Sequence, residues 1–366
     1  MKIIILSDAN SVHTLKWVIS LKEKNFNLLL FSLFKPNDQI AKKYDEIGIT
    51  VKSMDLNSKI KNVRKPNLSK INYISSFFPL KKIIKNFNPD LLHAHYASSY
   101  GVLAYLIGFK PYILSVWGSD ILDFPYKNFI NKWLINKTVQ SANVVCSTSN
   151  IMREILINEY NRLDTKLVPF GVDINLFSPQ INKSKVFTVG TIKSIEEYNG
   201  IDCLLDAADI IVNQYNEENI HYLIVGKGSL LNEMKEKTIN LGLQKYVKFT
   251  GAVSYQGIEK YHNKLSVFVA ISKRESFGVA VLEALACSVP AITSNVGGLP
   301  EVNQNQLTGK IIDPNNPRKL ADSIMKFYLN EDYRIKLGEN GRNWVVKKYN
   351  WDKNVDQMIN IYYKNQ

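Results

Sequence analysis

Two glutamates eight positions apart, Glu275 and Glu283, frame the stretch best equipped for chemistry, SVFVAISKRESFGVAVLEALACSVPAITSNVGGLPE at residues 266–301. The apolar run ending near Ile271 predicts a buried strand, and after a polar loop a helix is expected to begin between Ser276 and Val279. A helix start offers unpaired backbone N–H groups and the positive end of the macrodipole, which together suit a diphosphate. Gly278 leaves room for a phosphate there, and Ser276 adds a hydroxyl donor. Eight helical residues rise about 12 Å, whereas the carboxyl pair of a retaining glycosidase lies about 5 Å apart. Glu275 and Glu283 are therefore no hydrolytic pair. One carboxylate at each end of a nucleotide sugar, one for sugar hydroxyls and one for ribose hydroxyls, is the better use of that spacing.

The elements that must position these groups are read from periodicity. Short apolar runs alternate with helical patterns along the chain, which predicts parallel sheets with crossover helices. In the first half the strand candidates are KIIIL, NLLLF, ITVKSM, DLLHAH, YILSVW and NVVCST, separated by helical patterns such as Thr14 to Lys24, Ser99 to Ile107 and Phe129 to Val139. The alternation restarts at VFTVG and continues through HYLIVG, VKFTG, SVFVAI and PAITS, with a hinge expected around Pro169, Gly171 and Pro179. Two sheets follow, with a ligand cleft expected between their carboxyl ends. The first βα turn, Ser7 to His13, contains no glycine, which counts against a dinucleotide fold in the first half; no Walker A motif occurs.

A length of 366 residues suits two domains, and 45% hydrophobic with 22% charged residues excludes a disordered or fibrous chain. No apolar run approaches the roughly eighteen residues of a spanning helix. Cys146, Cys203 and Cys287 share no metal-ligand spacing and are expected to be free, buried thiols in a reducing cytoplasm. Of the net charge of +13, residues 1–180 carry +10, from 23 basic and 13 acidic side chains. The excess centres on Lys59, Lys61, Arg64, Lys65, Lys70, Lys81, Lys82 and Lys85, with Tyr73, Phe77 and Phe78 among them. That pattern is either a solvated face or a surface that meets anionic membrane or an anionic acceptor. Nucleic acid is not expected, because no DNA- or RNA-binding motif accompanies the charge.

The stretch Glu275-Ser-Phe-Gly-Val-Ala-Val-Leu-Glu283, followed by Pro290 and Asn295-Val296-Gly297-Gly298-Leu299-Pro300-Glu301, resembles the E-x7-E signature of the family 4 retaining glycosyltransferases (glycosyl transferases group 1), which have the GT-B fold. Val168-Pro169-Phe170-Gly171-Val172-Asp173 and Val225-Gly226-Lys227-Gly228 extend the resemblance across nearly the whole chain. It implies two Rossmann-like α/β domains facing each other across a cleft: an acceptor domain over 1–170, rejoined by a last helix over 350–366, and a donor domain over 171–349. It also implies that Glu275 meets the transferred sugar and Glu283 the ribose, with the amides of Phe277, Gly278 and Val279 and the Ser276 hydroxyl on the diphosphate. Gly226 and Gly228 would line the donor site, and the segment containing Gly251 and Val253 would hold the base. Family members supply an Arg and a Lys for the diphosphate; Thr191 and Asn199 stand in those places, and Lys193 is the nearest cation, assigned here to the phosphates.

In the first half, His93-Ala94-His95-Tyr96 and Ser115-Val116-Trp117-Gly118-Ser119-Asp120 end two strands. His93 and His95 are expected to face opposite ways and so not to share a metal. Many family members read His-Gly-x-Asp where this chain has Trp117-Gly118-Ser119-Asp120. His95 and Asp120 are the catalytic candidates there, and His13, Tyr96 and Trp117 are the acceptor-contact candidates.

The expected function is therefore retaining transfer of a hexose or N-acetylhexosamine from a UDP- or GDP-sugar to a saccharide or lipid-linked acceptor, in surface polysaccharide or lipopolysaccharide assembly. The expected setting is the cytoplasm or the inner face of the membrane. No metal or cofactor is expected, since no Asp-x-Asp pair ends a strand. The alternatives are a sugar-nucleotide 2-epimerase of the same fold, which would consume donor without acceptor, and a non-catalytic nucleotide-sugar binding protein.

Overall fold

In the computed structural model, which describes residues 1–54, 56, 75–180 and 186–366, the strands form two separate parallel sheets. The first holds β1 (Lys2–Leu6), β2 (Asn27–Ser32), β3 (Thr50–Ser53), β4 (Leu91–His95), β5 (Tyr112–Val116), β6 (Val144–Ser147) and β7 (Lys166–Leu167), in the order β3-β2-β1-β4-β5-β6-β7. The second holds β8 (Phe187–Ile192), β9 (Ile220–Val225), β10 (Val247–Gly251), β11 (Val267–Ala270), β12 (Ala291–Ser294) and β13 (Gly309–Ile312), in the order β10-β9-β8-β11-β12-β13. Both orders are doubly wound, and both reverse beside the sheet's first strand. The central strands are buried on both faces, as Ile3 to Leu6 and Leu91 to His95 show, which is why they read as unbroken apolar runs rather than alternating ones.

The chain divides into two compact units, Met1–Pro169 with Asp352–Gln366, and Phe170–Trp351. Every expected strand is present; β7, of two residues, and β13, GKII, were too short or too polar to be anticipated. The helix expected over Ser99 to Ile107 is a π-turn, Tyr96–Gly101, leading into Val102–Ile107. Lys59 to Lys70 and Tyr73 lie outside the described residues. All three cysteines are free and buried. Among the described residues no helix is long and apolar enough to cross a membrane.

The last helix, Trp351–Tyr363, belongs to the first unit from Asp352 onward. Its polar face is tied by Asn354 to the Pro169 carbonyl (2.9 Å), by Gln357 to the Leu167 carbonyl (2.7 Å), and by Asp356 to Lys24 (3.1 Å). Its apolar face buries Tyr362, whose ring meets Phe26 at 6.0 Å and whose hydroxyl pairs with His93 Nδ1 at 2.7 Å. A buried imidazole stripped of its partner costs about 1–3 kcal/mol. Tyr362→Phe is expected to lower the unfolding free energy of the first unit by that amount in urea titrations, with little change in ring packing.

Candidate active site

Each sheet opens a crevice where its strand order reverses, at the carboxyl ends of the two strands that flank the reversal. In the second unit these strands are β8 and β11, and the chain leaves them at Lys193 and Ser272. There Lys193 Nζ donates to Ser272 Oγ (2.8 Å) and forms an ion pair with Glu275 Oε2. Both charged side chains are largely shielded, Lys193 at 13% and Glu275 at 20% exposure. The other Glu275 oxygen accepts from the amide of Ser276 (3.1 Å), and its main-chain carbonyl accepts from the amide of Gly298 (3.1 Å).

Glycine is obligatory on both sides of this pair. Gly297 has φ +52, and a Cβ built on it would stand 1.8 Å from the Glu275 carbonyl oxygen; Gly226 has φ +149, and its Cβ would stand 1.8 Å from the Lys193 carbonyl oxygen. Gly226 and Gly228 also pack tightly against this pair's backbone. They form the seat on which the backbone of Lys193 to Ile195 lies, reinforced by amide bonds from Lys193 to Val225 (3.0 Å) and from Ile195 to Lys227 (3.1 Å), so their lack of side chains serves that packing.

The helix Val279–Ala286 starts as expected, capped by Gly278 at φ +109 and by no side chain. Phe277 is buried against Phe170 and Tyr349. Glu283 is buried one turn into the helix, where it accepts from the Tyr255 hydroxyl (3.4 Å) and pairs with His262 Nε2 (3.3 Å). Tyr255 and His262 carried no recognisable spacing. Gly251, at φ +74, ends β10 and accepts the amide of Gly226 (2.9 Å), and Val253 follows two residues on. Thr191 is buried, and Asn199 donates to the Ser194 carbonyl and hydroxyl (2.7 and 2.8 Å).

In the first unit the reversal lies between β1 and β4, and the residues that follow, Ser7 and His95 to Tyr96, meet there. His95 Nδ1 bonds the Ser7 hydroxyl (3.0 Å), which bonds the Thr14 hydroxyl (2.7 Å). Trp117, at the end of β5, lies 4.3 Å from the His95 ring, 6.0 Å from His13 and 6.4 Å from Tyr96, centroid to centroid. His13, His95 and Tyr96 thus gather around the Trp117 indole. Tyr96 has φ +75, a strained value for a tyrosine, and its hydroxyl pairs with Ser119 Oγ (3.0 Å).

One expectation needs correction. His93 and His95 share a face, with ring centroids 4.4 Å apart, because strand side chains repeat every two residues. Both His93 nitrogens are taken, by Tyr362 and Ser115. Asp120 is wholly buried and accepts three backbone amides, from Ala97 (2.8 Å), Gly118 (2.8 Å) and Trp117 (3.3 Å). It clamps the Trp117 loop against the Tyr96 turn. Among the described residues no three His, Cys, Asp or Glu side chains gather as a metal-ligand set.

Burial lowers His93 to about 3 and holds His95 well below the usual 6.5, the latter also through His93 and His13. His95 is neutral at physiological pH, with Nε2 buried and unpartnered. As pH falls below 6.5 the unfolded chain takes up protons that the folded one refuses, so stability drops progressively toward pH 3. Each such histidine adds about 1.4 kcal/mol per pH unit to that slope. His95→Asn is expected to lose stability less steeply than wild type by that amount below pH 6.5 in urea titrations.

Comparison with known proteins matches each unit to a family model: "Glycosyl transferases group 1" over residues 173–344 and "Glycosyl transferase 4-like" over residues 2–149. An uncharacterized glycosyltransferase of Methanocaldococcus jannaschii is 28% identical over 361 residues, 96% of this chain and 93% of that one. The UDP-Gal:alpha-D-GlcNAc-diphosphoundecaprenol alpha-1,3-galactosyltransferase of Escherichia coli is 27% identical over 319 residues, 81% of each. Among solved structures, Anabaena HepE in complex with UDP superposes with a TM-score of 0.81 at 17% identity over 100% of both chains.

Proposed function

The chain belongs to the glycosyl transferases group 1 family and is a glycosyltransferase of GT-B fold, and from that premise we propose which reaction it performs. It moves a hexose or N-acetylhexosamine from a UDP- or GDP-sugar to a saccharide or lipid-linked acceptor, at the inner face of a membrane, in surface polysaccharide or lipopolysaccharide assembly. The observation that carries this reading is the Lys193–Glu275 pair at the second unit's strand reversal, beside the helix start at Gly278. A diphosphate seated on that helix start draws Lys193 toward its negative charge, which frees Glu275 for the hydroxyls of the transferred sugar. Support for a UDP-sugar comes from HepE, solved with UDP-glucose, and for a lipid-linked acceptor from the Escherichia coli relative.

In this reading the first unit supplies the acceptor contacts. An aromatic cluster of His13, His95, Tyr96 and Trp117 suits the apolar face of a sugar ring. With Trp117 in the place of the usual histidine and Asp120 occupied by amides, no side chain there serves as an exposed carboxylate base. The leaving phosphate takes the acceptor proton instead. Lys193 and the helix amides stabilise the departing diphosphate, attack comes from the face it leaves, and no metal takes part.

Glu275→Gln is expected to abolish transfer almost entirely while nucleotide binding persists. Glu283→Gln is expected to weaken nucleotide binding by about 1.5–3 kcal/mol, the worth of a charge-assisted hydrogen bond. Equal loss of affinity in both variants by calorimetry would contradict this division of roles. An α-linked donor is expected to give an α-linked product in excess EDTA; a β anomeric proton signal in the product's NMR spectrum would overturn the front-face mechanism.

A further inference from the structure

Several of the most exposed large apolar side chains of the first unit fall close together in the sequence. Phe129 is 81% exposed, Ile130 58%, and Trp133 and Tyr126 53% each, all within eight residues, and Phe78 is 77% exposed at the start of another helix. Soluble surfaces tolerate single exposed apolar residues, but a cluster of large ones calls for a covering partner. The charged residues within their own segments are all basic. Residues 126–141 contain Lys127, Lys132 and Lys137, residues 77–87 contain Lys81, Lys82 and Lys85, and neither segment has an acidic residue. Lys132 pairs with Glu159 (2.7 Å), and Lys137 lies over the Trp133 ring at 5.9 Å.

Topology brings these residues to one place. The crossovers from β3 to β4, β4 to β5 and β5 to β6 move in the same direction along the sheet, so right-handed connections put their helices on one face. Helices Phe77–Phe87 and Phe129–Ser141 both pack against the short helix Val102–Ile107 between them. A crossover helix runs back antiparallel to the strands, so its first turns lie at the strands' carboxyl end. Phe78, Phe129, Ile130 and Trp133 therefore stand at the same end of the sheet as Ser7, His95 and Trp117.

We propose that this surface, the start of helix Phe129–Ser141 with the turn before it, flanked by the start of helix Phe77–Phe87, docks on a bilayer containing anionic lipid. Its aromatic side chains enter the headgroup level while its lysines meet the negative surface. Large aromatic and aliphatic side chains flanked by lysines are what the interface between lipid and water selects. The purpose rests on the proposed lipid-linked acceptor, since docking there would hold such an acceptor beside the Trp117 cluster. Docking itself needs neither donor nor acceptor.

Flotation of the full chain with phosphatidylcholine vesicles, with and without about a third of phosphatidylglycerol, tests it. Binding is expected only to the anionic vesicles, falling as salt rises because exposed charges are screened within about 8 Å. Combining Phe129→Ser, Ile130→Ser and Trp133→Ser is expected to cut it roughly tenfold or more while the circular-dichroism melt stays unchanged. Should that variant fold poorly, Phe129→Ser alone is expected to weaken binding several-fold at an unaltered melt. Three outcomes overturn the proposal: no binding to anionic vesicles at low salt, binding unaffected by the substitutions, or a wild-type dimer in sedimentation that the triple variant dissolves, which would make a second copy the cover. Vesicle binding without transfer to any lipid-linked saccharide would instead overturn the proposed acceptor and leave the docking surface standing.

Discussion

The second unit is organised around one ion pair, Lys193 with Glu275. Its partners come from the loops after β8 and β11, the strands that flank the reversal of the sheet, and they meet only because both backbones are pulled close to their neighbours. Gly226 lets the strand-end loop lie on Lys193, and Gly297 lets the loop after β12 lie on Glu275; any side chain at either position would collide with a carbonyl oxygen. Ser272 steadies the ammonium, and the Ser294 hydroxyl donates to the Ser272 carbonyl (2.6 Å), so strands β11 and β12 are joined beneath the pair. Exposed ion pairs contribute about 0–1 kcal/mol. This one is mostly shielded, so its attraction is screened less and its geometry is fixed by backbone rather than by two free side chains.

The same strand order in the first unit builds a crevice of opposite character. Where the second unit places charge, the first places hydroxyls, neutral imidazoles and an indole. Ser7 stands where a phosphate-binding turn would need glycine, and its hydroxyl is spent on His95 and Thr14. Burial keeps His95 neutral, and the buried Asp120 carboxylate accepts three amides. In the proposed reaction this crevice would offer a sugar an aromatic face and hydrogen-bonding rims, and the charged crevice of the second unit would take the diphosphate. Topology then supplies two crevices, and local residue chemistry gives them different character.

Much of this was legible in the chain. Apolar runs such as KIIIL and SVFVAI stood out because strands buried on both faces are uniformly apolar. The helix start at Gly278 followed from the break between strand and helical period. Glu275 and Lys193 were named from spacing and resemblance, but their contact was not, because it depends on which strands become neighbours across 82 residues of sequence. Ser272, Tyr255 and His262 escaped notice for the same reason. The surroundings of Asp120 were not legible, because a sequence shows an acidic side chain but not the three amides that enclose it. The His93 and His95 pair was misplaced through the pleat, whose period of two puts them on one face.

In the proposed reaction, Thr191 and Asn199 in place of the family's usual Arg and Lys would give Lys193 a double task. Thr191, in the arginine's place, is buried at the end of β8, and Asn199, in the lysine's place, is turned inward to bond Ser194. Neither offers charge to a diphosphate. The guanidinium of Arg274 lies over the Tyr198 ring at 5.4 Å, and Lys273 lies 3.6 Å from Asp202. Among the described residues, Lys193 is the cation paired with the Glu275 carboxylate. In the proposed reaction that one cation would both hold the glutamate before donor arrives and meet the phosphates afterwards. On that proposal, whatever competes for its ammonium alters the freedom of Glu275, so donor binding and the alignment of the carboxylate would be coupled through a single side chain.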